Sequence, residues 1–312
     1  MNSERLGIRS SAFARPSSTL KVIIPCFFVG IYRTPYYYSV LQAGPIHQGL
    51  LRNEGYNKPT AVRCTRCLEA MRARIGTSGF YYPHWRGVFY PRELHRANWL
   101  QYYQERFDTL EVNSTFYQLP KPETFLKWKQ SVRPGFMFAL KVSRLITNLK
   151  RLKDAEGALA LFLDRAEILG DRLGPVLYQL PHSFELDIGR LGAFLALLPE
   201  CSCHAFEFRH PSWFINDVRS LLIRQGVSFC ITDGPDTRYS PQWITSETAY
   251  IRFHGPAWQH QAQYPIEQLA EWAERIDGYL KEGLNVFAFF NNDAHGFALK
   301  NAEQLKCLLG VL

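Results

Sequence analysis

Along five of the eight short apolar runs in this chain, the charged and amide residues keep to one parity. In the run 249–254, Tyr250, Arg252 and His254 alternate with Ala249, Ile251 and Phe253. The same alternation marks Glu111 and Asn113 beside Leu110 and Val112, and Lys141 beside Leu140 and Val142. It recurs with Gln179 between Tyr178 and Leu180, and with Glu207 and Arg209 around Phe208. Successive strand side chains point to opposite faces, so the two faces of each run meet different surroundings. A closed barrel of parallel strands accounts for both. The apolar parity packs outward on helices, and the other points inward, where a polar cluster lines a site at the strand ends.

The order of the runs supports closure. Strands are expected at 75–78, 109–113, 136–142, 175–180, 204–209, 227–232, 249–254 and 285–290. Helical patterns follow near 99–107, 122–132, 155–169, 186–198, 217–225, 266–282 and 298–309, and only the sixth unit lacks one. Pro122 stands where a first helical turn tolerates proline. Eight alternating units predict an α/β chain folded as a TIM-like (β/α) barrel, within the size range of that architecture at 312 residues.

Charge divides the chain. Residues 1–74 hold 11 Lys and Arg against 3 Asp and Glu, whereas residues 75–312 hold 25 against 25, so the net +8 belongs to the N-terminal quarter. Affinity for polyanions comes from clustered basic residues, so nucleic acid is not the expected partner of the barrel. Residues 1–72 show no sustained period and read as a poorly structured basic extension, with the barrel domain at 73–312. The apolar run from Val22 to Tyr32 contains Pro25 and is shorter than the roughly 20 residues of a membrane span. Seven cysteines without framework spacing point to a reducing, cytoplasmic setting. Cys64 and Cys67 form a C-x-x-C pair, but zinc needs a second pair, and the next cysteines are Cys201 and Cys203. No metal or cofactor is expected, and oligomeric state is not legible.

A set of ordered motifs resembles a known family. They are Ile75-Gly76-Thr77-Ser78-Gly79, Tyr82-Pro83, Trp85-x-Gly87, Glu111-x-Asn113-Ser114-Thr115-Phe116-Tyr117, Glu207-x-Arg209-His210-Pro211-Ser212-Trp213, Arg252-x-His254-Gly255 and Phe290-Asn291-Asn292-Asp293. Together they are similar to the YecE-like proteins, domain of unknown function 72, over 75–312. The resemblance implies a TIM-type barrel and carries no established activity. Where that family commonly has Thr-His after the third strand, this chain has Thr147-Asn148.

The inward set holds Glu111, Lys141, Glu207, Arg209, Arg252 and His254, with Asn113 and Gln179 beside them. With His254 neutral, three positive charges face two negative ones, which favours an anionic guest such as phosphate or carboxylate. Pairing of Glu207 with Arg209, and of Glu111 with Lys141, is the competing structural account of the same residues. His254 and Glu207 are the expected proton-transfer groups, with Lys141 as an electrostatic clamp or, if desolvated, a Schiff-base nucleophile. His210, Asp233, Asn291, Tyr82 and Trp85 complete the expected substrate contacts, although turn formation explains Asp233 and loop packing explains the aromatics equally well. The leading expectation is a metal-independent enzyme acting by acid-base catalysis on a small phosphate- or carboxylate-bearing metabolite. One alternative is a metal-dependent hydrolase of phosphodiesters or nucleic acid using Glu111, Glu207, Asp233 and His254. The other is a non-enzymatic module that binds a ligand or partner.

Overall fold

The computed structural model describes residues 73–235, 240–256 and 262–311. The basic extension at 1–72, with its Cys64 and Cys67 pair and the run from Val22 to Tyr32, lies outside the described residues. Eight strands form where the period-two runs predict them: β1 (Ala73–Thr77), β2 (Thr109–Val112), β3 (Met137–Lys141), β4 (Leu173–Gln179), β5 (His204–Glu207), β6 (Ser228–Asp233), β7 (Thr248–Phe253) and β8 (Asn285–Phe290). All seven paired contacts are parallel, in the order β1-β8-β7-β6-β5-β4-β3-β2. The ring closes between β1 and β2, where Ser78 bridges Glu111 and the Gly79 amide donates to the Glu111 carbonyl at 2.8 Å. That seam requires glycine. A Cβ on Gly76 would lie 2.3 Å from the Thr109 carbonyl oxygen.

Helices follow the strands: α1 (Trp99–Tyr103), α2 (Ser114–Tyr117), α3 (Pro122–Ser131), α4 (Glu156–Glu167), α5 (Ile188–Leu195), α6 (Asn216–Arg224), α7 (Ile266–Lys281) and α8 (Phe297–Leu308). The longer helices α4 to α8 each bury several residues against the barrel. In α7 the stripe is Leu269, Trp272, Ala273 and Ile276, the i, i+3, i+4, i+7 spacing of an amphipathic helix. The outward strand residues, among them Leu110, Phe138, Tyr178, Phe206 and Ile251, form the layer between sheet and helices. Tyr178 and Phe206 stack there with centroids 4.7 Å apart. A second apolar cluster fills the barrel interior: Met137, Ala139, Leu177, Ala205, Cys230, Tyr250, Phe287 and Phe289.

Two elements differ from expectation. Helix α1 stops at Tyr103, and the Tyr103 hydroxyl accepts from the Thr77 amide at 3.0 Å and donates to the Thr109 carbonyl at 3.2 Å, tying the short helix to the wall. The short α2 had no counterpart in the sequence pattern. Between β6 and β7 the described residues form no helix. Thr245 ties this connection down instead, accepting from the Phe229 amide at 2.7 Å and donating to the Val227 carbonyl at 2.6 Å. Among the described residues, no helix is long and apolar enough to cross a membrane.

Candidate functional site

The polar parity converges at the carboxyl ends of the strands, the face on which parallel barrels build their sites. Below it lies the apolar interior cluster, so ionised groups there must find partners within the ring. Arg252, from the penultimate position of β7, is 1% exposed and joins the two buried glutamates. Its Nε and Nη2 donate to Glu111 Oε2 and Oε1 at 3.0 and 2.9 Å, and Nη1 donates to Glu207 Oε2 at 2.6 Å. Ser78 Oγ and the Tyr250 hydroxyl each donate to Glu111 at 2.6 Å. Glu111 therefore accepts four hydrogen bonds. Lys141, the expected partner from the neighbouring strand, is not among the donors.

Glu207 is held as tightly. Gln179 Nε2 donates to its Oε1 at 2.9 Å, and Arg209 Nε donates to the same oxygen. Burial opposes its ionisation, but Arg209 and Arg252 outweigh burial and hold the carboxyl well below the usual carboxylate range. His254 follows β7. Its Nε2 lies 3.1 Å from Arg209 Nη2 and 3.5 Å from Glu207 Oε1, and its Nδ1 lies 3.2 Å from the Asn291 side-chain amide. Burial, reinforced by Arg252 and Arg209 against the pull of Glu207, lowers its pKa from 6.5 to about 3. The ring is thus neutral and carries one proton. The arginine can only donate, so Arg209 Nη2 donates to Nε2, and the Asn291 Nδ2 group faces Nδ1 from the other side.

Lys141 ends β3 and stands apart from these bonds. The residue is 9% exposed, and its Nζ lies 4.2 Å from the centroid of the Phe116 ring. Among the described residues no acceptor is within hydrogen-bonding reach of the amine and no carboxylate pairs with it. Burial first, then Arg252, lowers its pKa from 10.5 to about 8, with Arg209 acting in the same direction and Glu207 and Glu111 against it. The two arginines cancel the two glutamates, so Lys141 supplies the uncompensated charge. Asn113 Oδ1 is also buried without a partner among the described residues.

Other expected contacts lie elsewhere. Asp233 shares the outward parity of Phe229 and Ile231, and its carboxylate accepts from Trp272 Nε1 at 2.6 Å, the Tyr264 hydroxyl at 3.0 Å and Gln268 Nε2 at 3.4 Å. It anchors α7 to β6 instead of joining the ring. His210 Nδ1 accepts from the Ser212 amide at 3.3 Å and caps the single turn Pro211–Trp213. Trp85 is fully buried, and its Nε1 donates to the Asp293 carbonyl at 3.0 Å, pinning the aromatic loop to the end of β8. Tyr82 packs on Trp85 with centroids 4.7 Å apart and donates from its hydroxyl to the Ser78 carbonyl at 2.7 Å, so it borders the ring without entering it. Reading the sequence did not single out Ser78 as a site residue, although it lies two residues beyond Gly76 on the inward parity of β1.

The donor set bears on metal binding. Among the described residues no three His, Cys, Asp or Glu side chains form a metal-holding group. Of the four groups that a hydrolytic metal site would need, Glu111 and Glu207 have their oxygens occupied by cationic and hydroxyl donors, and Asp233 faces the helix layer.

Fold and site together define a parallel (β/α) barrel with an arginine-locked carboxylate pair and one unpaired lysine at its carboxyl-end mouth. Residues 74–311 match the family described as protein of unknown function DUF72, and the chain belongs to that family. It is 31% identical over 129 residues to the UPF0759 protein YecE of Escherichia coli K12, an alignment that spans 41% of this chain and about half (47%) of that protein. It is 22% identical over 255 residues to the UPF0759 protein YunF of Bacillus subtilis, spanning 71% of this chain and 90% of that one. A crystal structure of a DUF72 protein from Thermotoga maritima superposes with a TM-score of 0.68 at 29% identity, over 76% of this chain and 99% of that one. A DUF72 protein from Enterococcus faecalis shares the fold at a TM-score of 0.68 and 20% identity, over 77% of this chain and 96% of that one.

Proposed function

We propose that the carboxyl-end mouth of the barrel binds a small phosphate- or carboxylate-bearing metabolite and that Lys141 exchanges a proton with it. The observation that carries this reading is Lys141, a residue only 9% exposed whose amine has neither a hydrogen-bond acceptor nor a paired carboxylate among the described residues. A partly desolvated ammonium without a partner is disfavoured, and an anion supplied by a ligand relieves that cost. Arg209 adds donors, since its bonds to Glu207 and His254 use Nε and Nη2 and leave Nη1 over. With a pKa of about 8, about a tenth of the amine is neutral at pH 7, which suits a group that both gives and takes a proton. Glu207 and His254 support this arrangement from behind. The first is an ionised acceptor with its oxygens occupied, and the second is a neutral ring that orients Arg209.

Thermal denaturation in the presence of inorganic phosphate and of small carboxylates tests the reading. A saturating anion at 100 times its Kd should add about 2.7 kcal/mol of stability to the native protein, and Lys141→Met should remove that gain. Unaltered protection in the variant would place the anion elsewhere.

A further inference from the structure

We infer that Lys141 forms a reversible imine with a carbonyl compound that carries a carboxylate or phosphate, so that the barrel takes 2-oxo acids or phosphorylated aldehydes and ketones as its ligand class. The inference deepens the anion-binding reading and rests on it. Three features of the mouth support the covalent step. Lys141 is a largely buried residue at the end of β3, above the apolar interior cluster, where partial desolvation favours an uncharged nitrogen over an ammonium. No described carboxylate pairs with it, in contrast to Glu111, Glu207 and Arg252, whose charges are all neutralised locally. Fixed cations stand near it, because Arg252 and Arg209 disfavour a further positive charge on Lys141 while Glu111 and Glu207 only partly offset them. The same Arg209 that destabilises the ammonium offers donors to the anionic end of the ligand, which holds the carbonyl toward Nζ.

The step balances without another reactant. The Nζ lone pair attacks the carbonyl carbon, the carbonyl π pair takes up a proton to become a hydroxyl, and the nitrogen releases one. The carbinolamine then loses that hydroxyl with a proton as water, leaving a carbon-nitrogen double bond. Free amine and carbonyl are consumed one to one, and one water is formed.

The native full-length chain is incubated at pH 7 with pyruvate and sodium cyanoborohydride, which adds hydride to the imine carbon and fixes it as a secondary amine. Intact mass and peptide mapping then locate the adduct. The expected result is one adduct per chain, on Lys141, formed about tenfold or more faster than on any other lysine. Acetone, which lacks the anion, should label Lys141 much more slowly. Lys141→Arg should form no such adduct, since the charge remains and the nucleophile does not. Labelling spread over several lysines at similar rates, or an unmodified Lys141, overturns the inference. In that event, phosphate protection that is present in the native protein and absent from Lys141→Met leaves the anion site standing. Absence of phosphate protection removes the anion reading whatever the adduct shows.

Discussion

Arg252 and Lys141 carry the same charge in the same ring and have opposite effects on stability. Arg252 compensates two buried carboxylates through three hydrogen bonds, so Arg252→Met leaves Glu111 and Glu207 without their shared cation. The expected loss is about 3–5 kcal/mol, because removing one partner of a buried ion network strands the other charges. Lys141 has no such partner, and Lys141→Met should instead stabilise the protein by roughly 1–3 kcal/mol at pH 7. The sign follows from the lowered pKa. The folded protein disfavours the ammonium, so the cost is fully present below about pH 8 and disappears as pH rises toward 10.5. Urea denaturation of both variants at pH 7 and pH 10 checks the pair of outcomes, and a destabilised Lys141→Met at pH 7 would show that the amine has a stabilising partner. Parity made the charged members of this ring legible in the sequence, but not Ser78. It did not reveal which cation meets which carboxylate, since Glu111 on β2 pairs with β7 across the interior, and that choice depends on how the closed sheet tilts and staggers.

At the scale of elements, the seam between β1 and β2 is where closure is most exposed to a single atom. Gly76→Ala would set a methyl group 2.3 Å from the Thr109 carbonyl oxygen, and that neighbour is backbone that cannot swing aside. Parting the two strands would also pull Ser78 from Glu111, coupling the wall to the ring. The expected cost is about 1–3 kcal/mol, and a melting temperature lowered by about 4 °C or more, with weakened phosphate protection, is the corresponding reading in calorimetry. An unchanged melting temperature would mean that the seam has slack. The strands were legible because period-two alternation survives burial on both faces when one face is polar. Asp233 shows how the same rule was underused: its parity with Ile231 directs it to the helix layer, yet its place after a strand suggested a ligand contact. The anchoring of α1 was not legible, because the Tyr103 hydroxyl bonds to residues of β1 and β2 that only the closed barrel brings near.

At the scale of the whole molecule, the two buried histidines among the described residues set how stability responds to acid. His204 lies among the buried residues of β5, where its Nδ1 faces the Tyr178 hydroxyl at 3.2 Å and its Nε2 faces the Pro199 carbonyl at 3.2 Å. The neutral ring satisfies both, donating from Nε2 and accepting at Nδ1. Burial lowers its pKa from 6.5 to about 4, and His254 in the ring is lowered to about 3. The unfolded chain therefore binds protons near pH 6.5 that the folded protein refuses, so the stabilisation is complete above that pH and is lost as pH falls toward 4. Each histidine contributes a slope of up to about 1.4 kcal/mol per pH unit in that window. Glu207 adds its own loss below about pH 4.5, because Arg209 and Arg252 hold its carboxyl lower in the folded state than in the unfolded one. Denaturation midpoints at pH 7, 5.5 and 4.5 should thus fall steeply, and His204→Gln should remove about half of the slope between pH 6 and pH 4.5 while leaving phosphate protection at pH 7 intact. A slope that the substitution does not change would assign the acid sensitivity to the ring alone, and a flat profile between pH 7 and pH 5 would contradict the burial of both imidazoles as neutral groups.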